Sequence, residues 1–169
     1  MIALPDLPCF YDGDLTKLKV ANRLPDDECH HVINVLRLDV GNSILVSNGH
    51  GLMVKAEITD VNKRYVEYLV LSTLIDESHS PYEFELIMSL LKSKDRVEWL
   101  IEKCVEVGIG RIKLVRTDRS TRNKPKSERW LKNAVSALKQ SRKAWLPSID
   151  YFDHWEDALT SCKSEQKLI

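Results

Sequence analysis

From Glu83 onward, apolar runs of strand length take turns with helical stripes, and that order leaves few folds open. Glu83 to Leu91 is a nearly continuous apolar run. Val97, Leu100, Ile101, Cys104 and Val105 then share one helical face, Asp95 and Glu98 have the spacing of a capping box, and Gly108 stands where a helix would close. The rhythm repeats, predicting a strand over Arg111–Thr117, a helix over Ser127–Ser141, a strand over Ser148–Phe152 and a helix over Trp155–Cys162. Strand, crossover helix and strand in succession imply parallel pairing under a cover of helices. Ligands of open α/β sheets gather at the carboxyl ends of the strands. Those ends lead here into Lys92, and into Asp118, Arg119 and Ser120.

The N-terminal half has another character. Ser43 to Ser47, the turn "NGHG" from Asn48 to Gly51, and the alternation of Leu52, Val54, Ala56 and Ile58 with Met53, Lys55, Glu57 and Thr59 predict a β-hairpin. A further strand is expected from Arg64 to Ser72. One helix interrupts them, capped by Asp26 or Asp27, with Cys29, Val32, Ile33 and Leu36 on its apolar face. Its polar face stacks His30, Asn34 and Arg37, which reads either as a binding surface or as a solvated face. Adjacent His30 and His31 cannot both face one ion from a regular helix, which argues against a metal. The half reads as a small β-barrel. The expected division is 1–75 for this barrel, 76–82 for a linker and 83–169 for an α/β domain, an α+β two-domain chain.

The 169 residues carry no net charge, yet the charge is unevenly placed. Residues 1–80 hold seven bases against twelve acids, residues 81–169 eighteen against thirteen, and Arg111 to Leu146 twelve against two. Screening confines such a patch to roughly 10 Å at moderate salt, so it attracts a polyanion whatever the total. The alternative is a solvated helix face. Four cysteines, Cys9, Cys29, Cys104 and Cys162, lie far apart without a C-x-x-C pair, which points to reduced core residues. No basic-then-apolar leader and no apolar run of spanning length is found, so the expected location is the cytoplasm. Gly108-x-Gly110 follows a helix and precedes a strand, the reverse of a dinucleotide-binding loop. Phosphate-loop and G-x-S-x-G stretches do not occur.

Three stretches, "HHVINVLRLDVGNSILVSNGHG", "LLKSKDRVEWLIEKCVEVGIGRIKLVRTDRS" and "ERWLKNAVSALKQSRKAWLPSI", closely resemble the RsmE family of 16S rRNA uridine methyltransferases. The resemblance runs through nearly the whole chain in order. It implies a PUA-like RNA-binding barrel joined to a SPOUT-type methyltransferase domain. His31 and Arg37 fall on the family's "HH-x-x-x-V-L-R" element, implied to contact RNA. Lys92 falls on the lysine that ends the first strand, Glu106 and Gly108 on "E-L-G", Arg119 and Ser120 on "R-S", and Gln140 and Ser141 on "E-Q-S-G-R". Lys139 stands where the family has glutamate, and Arg142-Lys143 replace its "GR". The family's "G-P-E-G-G" and "L-G-x-x-I-L-R" loops, which knot around S-adenosylmethionine, are not found. The resemblance therefore implies a C-terminally incomplete domain, with the cofactor residues expected beyond Ile169 and residues 1–169 alone inactive.

The activity implied is methyl transfer from S-adenosylmethionine to N3 of a uridine in small-subunit rRNA. N3 must lose its proton, and a cation near O2 or O4 favours the deprotonated base. Arg119 is the candidate cation, with Ser120 and Gln140 as hydrogen-bonding partners; a phosphate contact is the competing role for Arg119. His31, Arg37, Lys92, Lys132, Lys139, Arg142 and Lys143 are the candidate RNA contacts, with Lys132, Lys139 and Lys143 on one stripe of a helix whose core side is Leu131, Ala134, Val135 and Leu138. Trp130 and Trp145 are expected in the core or an interface rather than as base-stacking platforms. The implied partners are 16S rRNA or the small ribosomal subunit, and a second copy in the full-length protein. The competing function is a stand-alone RNA-binding module without catalysis.

Overall fold

The computed structural model of the chain describes residues 4–16, 21–77, 84–117 and 127–162. They form two units, Met1–His79 with Arg142–Trp145, and Ser80–Ser141 with Leu146–Ile169. No helix among the described residues is long and apolar enough to cross a membrane.

The first unit is a five-stranded sheet of β1 (Cys9–Tyr11), β2 (Ala21–Arg23), β3 (Ser43–Ser47), β4 (Leu52–Val61) and β5 (Val66–Asp76), in the order β1-β3-β4-β5-β2. Only the β1–β3 pair is parallel. The expected hairpin is present: Asn48 Oδ1 accepts from the amides of His50 (2.8 Å) and Leu52 (3.1 Å), and Gly49 and Gly51 supply positive φ of 72° and 94°. At Gly51 a side chain would also meet the Glu77 carbonyl and the Trp145 ring. Strand β5 begins at Val66 rather than Arg64 and runs four residues past Ser72. Three register shifts against β4 bend the ribbon, which lets a two-stranded run this long curl over a core. One face buries Phe10, Val32, Ile44, Val54, Ile58 and Tyr68. The opposite face of β3 and β4 buries Leu45 and Met53 under Ala144, Trp145, Leu4 and Leu7, so the alternation of β4 is apolar on both sides at this end. Tyr68 is fully buried and its hydroxyl donates to Asp12 Oδ2 at 2.5 Å. Burial first, and then that hydrogen bond, push its phenol far above the usual tyrosine range.

The interrupting helix departs from expectation in three ways. Pro25 holds the cap position of α1 (Asp26–His30), so Asp26 and Asp27 lie inside the first turn and make no side-chain cap. After His30 the chain widens into a π-helical stretch, His31–Leu36, closed by Arg37 at φ 52° with its amide on the Val32 carbonyl. The wider turn breaks the apolar stripe: Cys29 and Val32 are buried and Ile33 packs on them, but Leu36 turns out to solvent.

In the second unit β6 (Glu85–Ser89), β7 (Arg111–Val115) and β8 (Ser148–Phe152) are parallel, in the order β6-β7-β8. Helices α2 (Lys94–Val107), α3 (Ser127–Ser141) and α4 (Trp155–Thr160) complete it. Ser93, not Asp95, caps α2, its Oγ accepting from the Arg96 amide, and Gly108 closes the helix at φ 85°. Glu98 is not a capping partner; its carboxylate takes Arg129 Nε at 2.6 Å and its carbonyl takes Asn133 Nδ2 at 2.5 Å, joining α2 to α3. Ile101, Cys104, Ile112, Leu114, Trp130 and Leu138 are core. Of the residues expected on the core side of α3, Ala134 and Leu138 are buried, while Leu131 is 51% exposed and Trp130 is turned inward beside them. Within the core Lys113, 3% exposed, reaches Glu85 at 2.8 Å, and Arg111 reaches the same carboxylate at 3.2 Å.

Candidate functional site

The three parallel strands end level, with Ser89, Val115 and Phe152 in register. Main-chain bonds continue past the strand ends, Leu90 N to Val115 O and Arg116 N to Phe152 O, both 2.8 Å. Two side-chain links stiffen this carboxyl edge: Ser89 Oγ and Thr117 Oγ1 lie 2.9 Å apart, and Arg116 Nε meets Asp153 Oδ1 at 3.3 Å. Lys92 is exposed three residues beyond β6. Arg119 and Ser120 follow β7 in the sequence and lie outside the described residues. Among the described residues the edge thus carries the Ser89 and Thr117 hydroxyls, the Arg116–Asp153 pair and the exposed Lys92, groups able to meet a phosphate or a heterocycle bearing negative charge.

The remaining candidates divide between the units. In the second unit Lys132 is exposed, Lys139 half-buried and Gln140 exposed, all on α3, while Ser141 turns its hydroxyl back to the Ala137 carbonyl at 2.6 Å and acts as an ordinary helix residue. Lys143 is not on that stripe. The helix ends at Ser141, Arg142 turns the chain at φ 52°, and Lys143 belongs to the first unit, where its carbonyl accepts from Ser47 Oγ at 3.2 Å. The left-handed turn at residue 142 is the conformation glycine takes at least cost, and glycine is what the resembling family has there. Arg142 adds an ion pair with exposed Asp6. Also in the first unit, His31 is half-buried with its ring edge-on to Phe10 at 6.0 Å, and Arg37 is exposed in the left-handed turn that ends the π-helix. His30, Asn34 and Arg37 do not form the row that a regular helix would make of them.

Sequence reading missed the buried Lys113–Glu85 pair. A lysine inside a buried strand needs a partner, so "RIKLV" signals the need, while which acid answers it follows from the pairing of β7 with β6. A cleft of about 440 Å³ in the first unit is lined by Asp12, Asp14, Ala21, Asn22, Arg23 and Glu67. Among the described residues that lining sets three carboxylates beside one guanidinium. Among the described residues no group of metal-ligating side chains gathers, and Cys9, Cys29, Cys104 and Cys162 form no disulfide.

Residues 78–169 match the family described as RNA methyltransferase domain, and residues 24–70 the one described as RNA methyltransferase PUA domain. The chain is 29% identical over 149 residues to ribosomal RNA small subunit methyltransferase E of Bacillus subtilis, covering 82% of this chain and 58% of that protein. With the Synechocystis protein of the same name it is 30% identical over 125 residues, covering 72% of this chain and 40% of the other. Among solved structures, ribosomal RNA small subunit methyltransferase E from Neisseria gonorrhoeae bound to S-adenosyl methionine superimposes with a TM-score of 0.82 at 28% identity, over 94% of this chain and 67% of that one. A probable rRNA-methyltransferase from Porphyromonas gingivalis gives 0.73 at 31% identity, over 86% and 60%. The chain thus spans 58% and 40% of the two curated relatives.

Proposed function

This chain belongs to the RNA methyltransferase family, and on that premise we propose that its protein methylates N3 of a uridine in the 16S rRNA of the small ribosomal subunit, with S-adenosylmethionine as methyl donor. The observation that carries the reading is the level carboxyl edge of β6, β7 and β8, which stands in the part of the chain that matches the methyltransferase domain. Relatives named for small-subunit rRNA methylation, and a neighbour bound to S-adenosyl methionine, support the same reading.

Close backbone approach to an adenosyl cofactor favours glycine, and the described glycines of the second unit, Gly108 and Gly110, precede β7 at the opposite end of the sheet. What this part of the chain offers is recognition of the RNA. Uridine N3 is a poor nucleophile until its proton leaves, and the negative charge then spreads onto O2 and O4. Arg119 is assigned the task of stabilising that charge, and Ser120 and Gln140 that of hydrogen-bonding the base. His31, Arg37, Arg142 and Lys143 in the first unit, and Lys92, Lys132 and Lys139 in the second, are assigned to RNA binding. Residues 1–75 are taken as the RNA-binding module and 83–169 as part of the methyltransferase domain, working in the cytoplasm on ribosomal RNA as a homodimer.

Deleting the gene should remove N3-methyluridine from 16S rRNA, read by mass spectrometry of nuclease digests. Its retention would leave RNA binding without catalysis as the function. In the full-length enzyme, Arg119→Ala should lower kcat at neutral pH and move the pH–rate profile to higher pH, since hydroxide must then supply the deprotonation that the cation had favoured. A rise in KM alone, with the profile unmoved, would make Arg119 a phosphate contact.

A further inference from the structure

Trp99 stands out on α2. It is 60% exposed, whereas Val97, Ile101, Cys104 and Val105 of the same helix are buried, so its ring contributes little to the core. A tryptophan left in water this far is unusual, since its large apolar faces gain more than most from burial. Its surroundings are charged in a graded way. Toward the sheet edge Lys92, Lys94 and Arg96 face a single acid, Asp95, and all four are exposed. Asp95 and Arg96 lie one turn before the ring, and Glu102 and Lys103 one turn after it. Lys103 is engaged by Glu102 at 3.0 Å and Glu106 at 2.8 Å, so positive charge falls off along α2 away from the edge. From the cap at Ser93 to Trp99 the helix rises about 9 Å, the span of roughly two or three stacked nucleotides.

We infer that Trp99 is a stacking platform for an unpaired base of RNA, with Lys92, Lys94 and Arg96 gripping the neighbouring phosphates. The inference rests on the RNA reading of the carboxyl edge and adds a second contact to it, a short way along the strand from the target base. An exposed aromatic face with exposed bases toward the sheet edge fits a single strand, whose bases are free to stack while its backbone takes the charge. It fits a protein partner poorly, because lysine is depleted where aromatic residues anchor protein interfaces. It fits a duplex poorly as well, because paired bases present no face to a ring.

The test measures binding of the chain to a short fluorescein-labelled oligouridine and to an RNA duplex of equal length, by anisotropy across a salt series. Trp99→Ala is expected to weaken oligouridine binding by about 5- to 100-fold, with the salt slope and the duplex affinity unchanged. Trp99→Phe should keep most of the affinity, which guards against a general effect of the substitution. Equal losses on both RNAs, or none on either, would overturn the platform while leaving the RNA reading intact. Failure of the unsubstituted chain to bind either RNA would overturn both. If Trp99→Ala converts a sedimenting dimer to monomer with oligouridine affinity intact, the ring belongs to a contact between copies and the platform is refuted.

Discussion

Lys113→Ala is expected to cost the second unit about 3 kcal/mol or more, the largest stability loss anticipated for a polar residue of this chain. The side chain is buried between strands, and its ammonium is one of two cations on a carboxylate that is itself 6% exposed. Removing it strands part of the Glu85 charge in a place that water hardly reaches, with the half-exposed Arg111 a less buried cation to answer it. Removing both charges is a different experiment. Lys113→Met with Glu85→Leu should recover most of the loss, because desolvating an ion pair offsets much of what the pair gains. Urea unfolding of the single and double variants decides it. A single-variant loss below about 1 kcal/mol, the range of surface pairs, would mean that water reaches the pair in solution.

The second large effect is expected in RNA binding. Substituting Lys92, Lys132 and Lys139 by alanine together removes three candidate phosphate contacts from one unit. For a single-stranded RNA the slope of log K against log salt should shrink by about 2, and affinity near 0.1 M salt should fall by about 100-fold. The loss should be similar across RNA sequences, since phosphates carry no base identity. An unchanged slope would return the basic block of α3 to the role of a solvated face. Lys143 is left out of the set because its place at the Ser47 hydroxyl sets it apart from α3.

How far the sequence could be read follows from what each signal encodes. The helix Ser127–Ser141 and the strand Ser148–Phe152 lie where the apolar rhythm puts them, and Gly108 ends α2 as expected. These signals are periodic or conformational, and neighbouring residues carry them in full. The π-helical stretch His31–Leu36 was illegible, because shifting a hydrogen bond by one residue leaves the composition unchanged while moving Leu36 off its stripe. Ser93 and Asp95 are both competent caps two residues apart, and only the backbone decides between them. Leu131 was assigned inward by a stripe wide enough to include it; Ala134 and Leu138 of that stripe are buried, with Trp130 beside them. Of the site, the level strand ends and the place of Lys92 were legible from strand order alone. The pairing of Lys113 with Glu85 depends on which strands become neighbours, a long-range fact that local spacing does not contain.

The return of Arg142–Trp145 to the first unit sets a timetable for synthesis. Ala144 and Trp145 cover Leu45 and Met53, and the Gly51 amide donates to the Ala144 carbonyl at 2.8 Å. When residue 79 has left the ribosome, all five strands of that sheet exist, yet one face of β3 and β4 still lacks its lid. At ordinary translation rates the missing residues arrive roughly 3 to 13 s later. For that interval the nascent sheet carries an apolar patch covered on that face only in part, by Leu4 and Leu7, which makes it a client for chaperones at the tunnel exit. Slow codons placed between residues 80 and 145 would lengthen the exposure, and soluble yield in the cell should fall accordingly.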